Sequence, residues 1–275
     1  MRPKPHFDIA PQLFGFRTVL VNLYFVGSLG PEKSWVLVDA GIPGYSADII
    51  EQAAKHFGQN TPPAAIVLTH GHFDHVGSLS ALMRRWSVPV HAHALELPFL
   101  NERRPYPPPD PTVGGGFLAT SSTLFPRVSS LPKKVLPLPD DGSVPGLPDW
   151  RWIATPGHSP GHVSLWRESD RALIAGDALI TTRQESVTAV WNQTVEVRPP
   201  PAYFTSDWRA AYESMEKLYT LSPEVLASGH GLPLHGDAWR RELSYLLADF
   251  PHRGLPPRGK YVRETWPAAQ PSAAH

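Results

Sequence analysis

A cluster of histidines and one aspartate behind a short apolar run constrains this chain more than any other feature. The run at residues 65–68, Ala-Ile-Val-Leu, predicts a buried strand. It leads into the spacing H-x-H-x-D-H, formed by His70, His72, Asp74 and His75. In an extended segment, side chains two positions apart point the same way, so the first two histidines can aim at one point. The aspartate and the last histidine then begin a helix, where unpaired backbone N–H groups favour a carboxylate.

These four side chains have the chemistry of a metal-ligand set. Neutral imidazole and carboxylate, without thiolate, suit zinc, or failing that iron or manganese. A chance match to this spacing in a chain with 13 histidines has odds of roughly one in a thousand. The alternative is that Asp74 only caps a helix and that the histidines are ordinary core or surface groups.

Composition excludes several classes of protein. The 275 residues can form one large domain or two small ones, and the formal net charge of zero argues against a nucleic-acid partner. The sequence contains no stretch of 18 apolar residues, so no membrane-spanning helix is predicted. The absence of cysteine removes disulfides, thiolate ligands and a cysteine nucleophile. The apolar run from Leu13 to Val26 contains Arg17 and Asn22, so we interpret it as strand and not as a signal peptide, which makes the cytoplasm the default location.

Hydrophobic periodicity predicts an alternation of strands and helices. Strands are predicted at 18–26, 35–38, 89–93, 150–155, 163–167, 171–175 and 225–228, and helices at 46–57, 76–86, 206–221 and 237–250. The first two strands are expected to form a hairpin, and Ser206 is expected to cap the third helix. His91 and His93 alternate along a strand without an acidic partner at metal spacing, so we interpret them as ordinary polar residues.

Two segments lack a regular pattern. Residues 101–132 contain a proline-rich stretch and three consecutive glycines, together with apolar residues that can pack. A loop of this length inside a compact domain is typical of a functional lid, with a plain linker as the alternative. Residues 251–275 are rich in proline and alanine and are expected to form a C-terminal tail on the surface.

Further metal-type ligands recur at the ends of the predicted strands. Asp39, His158, Asp177 and His230 each follow a strand-like run and sit beside a glycine or a turn. Loops at one end of a sheet are where rigid scaffolds carry chemistry. Asp39 is equally well explained as a turn residue, and we interpret His162, at the start of the next strand, as structural or as a support for a ligand.

In their order along the chain, these motifs resemble those of the metallo-β-lactamase superfamily, and more closely its glyoxalase II-like branch of hydrolases. Asp39 is similar to the first acidic motif, His70 to His75 to the second, and His158 to the third, in the sequence Thr-Pro-Gly-His-Ser-Pro-Gly-His. Asp177 in Gly-Asp and His230 in Gly-His-Gly are similar to the fourth and fifth. The resemblance covers residues 18 to 235 and implies an α/β fold, an αββα sandwich, with the metals at one edge of its two sheets. We expect residues 1–275 to form a single domain of this kind.

The resemblance also implies a role for each ligand. One metal would take His70, His72 and His158, the other would take Asp74, His75 and His230, Asp177 would bridge them, and Asp39 would orient a ligand from behind. Two zinc ions are expected, with iron or manganese as alternatives. A hydroxide bridging the metals would be the nucleophile, and Asp74 would orient it or carry its proton.

The family hosts many reactions, so the substrate stays open. We expect a metal-dependent hydrolase acting on a small-molecule thioester, lactone or related acyl ester. The alternatives are a mono-iron enzyme resembling persulfide dioxygenases and a non-catalytic, metal-stabilised binding protein. Only 45 residues follow His230, which leaves little room for the glutathione-binding extension of glyoxalase II. Tyr203 is a candidate substrate contact, by similarity to lactonases, or a packing residue. The sequence does not indicate an oligomeric state.

Overall fold

A computed structural model describes residues 6–28, 34–101, 104–126, 131 and 134–267. The strands are β1 (His6–Ala10), β2 (Leu13–Thr18), β3 (Val21–Gly27), β4 (Trp35–Val38), β5 (Ala65–Val67), β6 (Val90–Ala92), β7 (Leu136–Pro137), β8 (Ser143–Val144), β9 (Leu147–Ala154), β10 (Val163–Arg167), β11 (Ala172–Gly176), β12 (Val225–Ser228) and β13 (Leu234–His235). The helices are α1 (Ser46–Phe57), α2 (Phe73–Val76), α3 (Leu79–Trp86), α4 (Leu97–Leu100), α5 (Phe117–Thr120), α6 (Val187–Asn192), α7 (Trp208–Thr220), α8 (Asp237–Ala248), α9 (Phe250–Arg253) and α10 (Lys260–Thr265).

The strands form two sheets. The first contains β1 to β7 in chain order, antiparallel from β1 to β4 and parallel from β4 to β7. The second runs β13-β12-β11-β10-β9-β8, with β11 and β12 parallel. Parallel neighbours carry their carboxyl ends to one edge, so the loops after β4 and β5 lie at one edge of the first sheet and those after β11 and β12 at one edge of the second.

Alternating apolar residues explain how the layers stack. In β4, Trp35 and Leu37 face α1 and α3, whereas Val36 and Val38 face the second sheet. Side chains alternate between the two faces of a strand, so an unbroken apolar run fits a strand covered on both sides. The second sheet likewise packs one face on the first sheet and the other on α7 and α8. The predicted αββα sandwich is therefore confirmed.

The predicted strand at 18–26 is wrong in its bounds. A tight turn at Val19 and Leu20 divides the apolar run into β2 and β3, which pair as an antiparallel hairpin. Val19 adopts a left-handed φ of 67° and is 52% exposed. The turn lacks Gly, Asn or Pro, the residues that usually mark a hairpin turn, so periodicity could not reveal it. The linker predicted between β3 and β4 lies mostly outside the described residues.

The helix predicted at 76–86 is interrupted at Gly77 and Ser78. Any side chain on Gly77 would collide with Pro43, and the Ser78 hydroxyl donates a hydrogen bond to the Ile42 carbonyl. Ser78 Oγ also accepts from the backbone N–H of Tyr45 at 3.1 Å. This interruption ties the start of α3 to the loop before α1.

Two expectations for the C-terminal part are corrected. Helix α7 begins at Trp208, and Asp207 caps it in place of Ser206, accepting from the Ala210 N–H at 3.0 Å. The segment after residue 251 is not a surface tail throughout, because Tyr261 in α10 is buried and α10 packs on α7. Residues 268–275 lie outside the described part.

Residues 101–132 form only short helical turns joined by loops, in line with the lack of a regular pattern in their sequence. Two 3₁₀ turns, Pro111–Val113 and Ser122–Leu124, flank α5, while residues 102–103, 127–130 and 132–133 lie outside the described part. Whether this segment acts as a lid stays a prediction. Across the described ranges, no helix is long and apolar enough to cross a bilayer.

Candidate metal centre

One edge of the two sheets carries a compact cluster of imidazoles and carboxylates. Four members follow β5, one lies in the loop between β9 and β10, and one each follows β11 and β12. All seven are buried: His70, His72, Asp74, His75, His158, Asp177 and His230. Their possible ligand atoms fall into three groups, each within 4.8 Å: His70 with His72 and His158, Asp74 with His75 and His230, and His70 with His75 and Asp177. The structure thus brings together every side chain predicted as a ligand.

Asp177 lies between the two histidine groups. Its Oδ2 is 3.4 Å from His158 Nε2 and 3.0 Å from His230 Nε2, while Oδ1 is 3.4 Å from His75 Nε2. His72 Nδ1 and His158 Nε2 are 2.9 Å apart. Any side chain on Gly229 would collide with the Asp177 carboxylate, so the backbone itself forms one wall of the cluster.

The donor set fits cations. Among the described residues, the buried atoms His70 Nε2, His75 Nε2 and Asp177 Oδ1 have no hydrogen-bond partner. Buried polar atoms are rarely left unpaired, because losing water without a replacement costs free energy. Burial, reinforced by the neighbouring imidazoles, lowers the pKa of His70 well below its usual value, which favours the neutral ligand form. Although burial opposes its ionisation, Asp177 has a pKa well below the usual range because of His230 and His75.

Groups behind the cluster fix which nitrogen points inward in three of its histidines. The Asp39 carboxylate accepts from His75 Nδ1 at 2.8 Å, and the Leu20 carbonyl accepts from His230 Nδ1 at 2.7 Å. The hydroxyl of Thr69 lies 3.1 Å from His70 Nδ1. Each contact occupies the outer nitrogen and directs Nε2 toward the cluster, the arrangement that tunes metal-ligating histidines.

Asp39 lies in a turn and contacts residues of the cluster and of the strand end beside it. Its φ is 62°, in the left-handed region where Asp and Asn are the favoured non-glycine residues. Its side chain also accepts from Thr69, through the backbone N–H and the hydroxyl, both at 2.8 Å. The backbone of Asp39 thus fits a turn residue, and its role in orienting a metal ligand stays a prediction.

The Asp39→Asn variant tests this support. Asn tolerates the left-handed backbone, but an amide that keeps the contact to the Thr69 N–H turns its NH₂ toward His75 Nδ1. We expect His75 to change tautomer and metal affinity or activity to fall about 10–100-fold. Isothermal titration calorimetry with metal measures the affinity, and an unchanged circular dichroism spectrum is the control for folding. An affinity equal to that of the parent protein would contradict this role.

His162 lies directly behind Asp177. Its Nε2 accepts from the Asp177 backbone N–H at 2.9 Å, and its Nδ1 lies 2.8 Å from the Thr155 hydroxyl. Burial lowers the pKa of His162 to about 3, so the ring stays neutral. His162 positions the backbone of Asp177 and lies in none of the three ligand groups.

Sequence reasoning missed Glu96. This fully buried carboxylate accepts hydrogen bonds from the Gly71 N–H at 3.0 Å, the Gly161 N–H at 2.7 Å and the Ser159 hydroxyl at 2.8 Å. The Tyr106 hydroxyl also donates to it. Glu96 thus joins the loop of His70 and His72 to the loop of His158. A lone glutamate after a predicted strand gives no local signal of such a role.

Tyr203 lies near the cluster but in a different environment. It is buried with Val113 and Ala119, and its ring packs on Phe204 at 4.9 Å. Burial, and then the charges of Asp74 and Glu185, raise its pKa well above the usual value. These contacts are those of a packing residue, and substrate contact by Tyr203 stays a prediction.

This fold and cluster define the class of protein. The family model of the metallo-beta-lactamase superfamily matches residues 17–230, which include every residue of the cluster. The chain belongs to the metallo-β-lactamase superfamily.

Relatives with similar sequences are named as metallo-hydrolases. The chain is 44% identical over 241 residues to the probable metallo-hydrolase YflN of Bacillus subtilis, covering 87% of this chain and 91% of that one. It is 32% identical over 196 residues to the probable metallo-hydrolase YybB of the same organism, covering 71% and 74%.

Solved structures share the fold. A β-lactamase domain protein from Burkholderia ambifaria matches with a TM-score of 0.62 at 23% identity, covering 91% of this chain and 78% of that one. A protein called TTHA1623, solved in a di-iron-bound form, matches with a TM-score of 0.54 at 22% identity, covering 90% and 98%.

Proposed function

We propose that the chain is a hydrolase with two metal ions that cleaves a thioester, lactone or related acyl ester of a small molecule. The observation that carries this proposal is the position of Asp177, whose Oδ2 faces one histidine from each ligand group. A carboxylate shared between two ligand sets is suited to two metals about 3.5–4 Å apart. The names of the sequence relatives, probable metallo-hydrolases, support the reaction class.

In this proposal, each group of the cluster has a task. His70, His72 and His158 would hold one metal, Asp74, His75 and His230 would hold the other, and Asp177, which faces both groups, would be shared between them. When bound, the two metals would lower the pKa of a coordinated water and polarise the substrate carbonyl. Zinc suits this donor set, and iron or manganese would also fit.

Asp74 is proposed to orient the attacking water and to take its proton. With His72, it is the most accessible of the seven ligands, each 6% exposed, so the substrate approaches on their side. The water oxygen bonds to the carbonyl carbon and the C–S or C–O bond breaks. The thiol or alcohol leaves with a proton, and a carboxylic acid remains.

Metal content separates this proposal from its rivals. We expect about two equivalents of metal per chain in freshly purified protein, loss of hydrolysis on chelation and recovery on adding zinc back. About one iron and no zinc, with oxygen uptake on a persulfide, would favour the mono-iron oxygenase instead. Metal without any acyl-ester hydrolysis would favour a metal-stabilised binding protein. Elemental analysis with an ester screen measures all three, and the di-iron form of TTHA1623 is a reason to include iron.

The Asp74→Ala variant tests the proposed catalytic group. We expect hydrolysis to fall by at least about 100-fold, since general acid–base groups contribute about 10²–10⁴-fold. Asp140→Ala, a change of the same type on the loop between β7 and β8, is the control and should leave the rate unchanged. A folded Asp74→Ala protein with parental activity would show that the site is misassigned.

A further inference from the structure

A cavity of about 620 Å³ opens beside the metal centre. Its lining is dominated by prolines and by five aromatic rings, contributed by α2, by α4, by the segments on either side of α5 and by the segment before α7: Phe73, Phe99, Tyr106, Phe125 and Phe204. His72, one of the two most accessible candidate ligands, is also part of this lining. The cavity therefore borders the side from which the substrate approaches.

Aromatic packing joins the cavity to the metal centre. The ring of Phe204 stacks on His72 with centroids 4.7 Å apart and an interplanar angle of 29°. Phe125 then packs on Phe204 at 6.0 Å and on Phe73 at 5.6 Å. A group attached to a carbonyl held at the metals would enter among these rings.

The charges of the lining restrict what can bind. Of the described residues that line the cavity, none is acidic, and Arg104 is the one with a fixed charge. Arg104 is exposed and its guanidinium lies over the Phe99 ring, 5.8 Å from the centroid. Ser122 and Thr123 add hydroxyl groups, but most of the lining residues are apolar, which favours an apolar group over a sugar, an amino group or another strongly hydrated one.

We propose that this cavity binds the acyl group of the substrate and selects medium-length or aromatic acyl chains of about six or more carbons. The inference rests on the proposed function, since it takes the scissile carbonyl to lie at the metals. The volume lies within the range of about 300–1,000 Å³ for sites that bury a small ligand. Short acyl groups such as acetyl would leave most of this surface unfilled.

A series of thioesters with one leaving group tests the selection. We would measure kcat/KM for S-acetyl, S-butyryl, S-hexanoyl and S-octanoyl N-acetylcysteamine with the metal-loaded protein. Burial of each methylene is expected to raise kcat/KM by up to about fourfold until the cavity is filled. A flat series, or one that favours acetyl, would overturn the inference.

A pair of neighbouring variants locates the effect. Phe125→Ala removes a lining ring, whereas Leu124→Ala removes the adjacent side chain, which is 83% exposed and not part of the lining. We expect the first to lower kcat/KM for the octanoyl thioester about tenfold with little change for acetyl, and the second to change neither. Equal effects of both variants would contradict binding in this cavity.

A binding measurement separates failure of this inference from failure of the proposed function. The methyl ketones 2-butanone and 2-octanone carry the alkyl chain and carbonyl but have no bond to hydrolyse. Calorimetry should show tighter binding of 2-octanone, weakened by Phe125→Ala and not by Leu124→Ala. If this holds while no thioester, lactone or ester is cleaved, the cavity is an apolar ligand site and the proposed reaction is wrong. If thioesters are cleaved but the affinity for ketones does not depend on chain length, the proposed reaction is supported and the inference of an acyl-binding cavity is wrong.

Discussion

The Asp177→Asn variant is expected to lose more than 100-fold in hydrolysis and to retain less metal than the parent protein. Asn has nearly the same shape, so packing is preserved while the charge and one of the two acceptor oxygens disappear. Asp177 faces histidines of both ligand groups within 3.4 Å, so one substitution affects both proposed metal sites. Loss of a mere supporting hydrogen bond typically costs about 10–100-fold, and loss of a shared ligand should exceed that.

His91→Ala is the matched control for this experiment. His91 belongs to β6 of the first sheet, lies outside the cluster and contacts the Pro137 carbonyl at 3.2 Å. Its removal should leave metal content and hydrolysis unchanged. Elemental analysis and rate measurements on both variants, with circular dichroism to verify folding, decide the outcome. Two metal equivalents in Asp177→Asn would contradict the bridging role.

Glu96→Gln is expected to lower activity about 100-fold although Glu96 lies in none of the ligand groups. One carboxylate oxygen accepts from Gly161 N–H and Ser159, the other from Gly71 N–H and Tyr106. Whichever way the amide turns, its NH₂ group meets a backbone N–H, donor against donor. Leaving such a buried donor unpaired costs about 1–3 kcal/mol, which the loops can relieve only by moving apart.

The readouts distinguish positioning from simple destabilisation. We expect Glu96→Gln to weaken metal affinity and to lower kcat, because the displaced loops carry His72 and His158. The loss of kcat should be larger than the fall in melting temperature alone would explain. Tyr106→Phe removes one of the four donors and keeps the carboxylate, so it should cost far less. If Glu96→Gln is less stable but binds metal and turns over as the parent does, Glu96 is only structural.

The sequence predicts the cluster well because its members sit in local patterns. Asp74 and His75 share one six-residue motif with two histidines, and His158 lies in a loop whose two glycines mark a tight turn. Apolar runs on either side identify the strands, since residues of β4 and β11 are buried on both faces. Fold class and candidate ligands can therefore be predicted from local sequence patterns alone.

What the sequence could not predict depends on contacts between distant residues. Glu96 meets Gly161 across 65 positions, and no spacing rule connects them. The turn at Val19 and Leu20 is held by the strands it joins, without a turn-forming residue. The burial of Tyr261 depends on packing against α7, a contact that a proline-rich composition does not predict.

The seven candidate ligands are divided between the two sheets. Four follow β5 of the first sheet, and three come from loops of the second, the last of them His230 after β12. Neither sheet alone offers a complete set for either proposed metal. Metal binding would therefore be linked to the docking of one sheet on the other, and a ribosome-bound chain would acquire the centre only after most of its length has emerged.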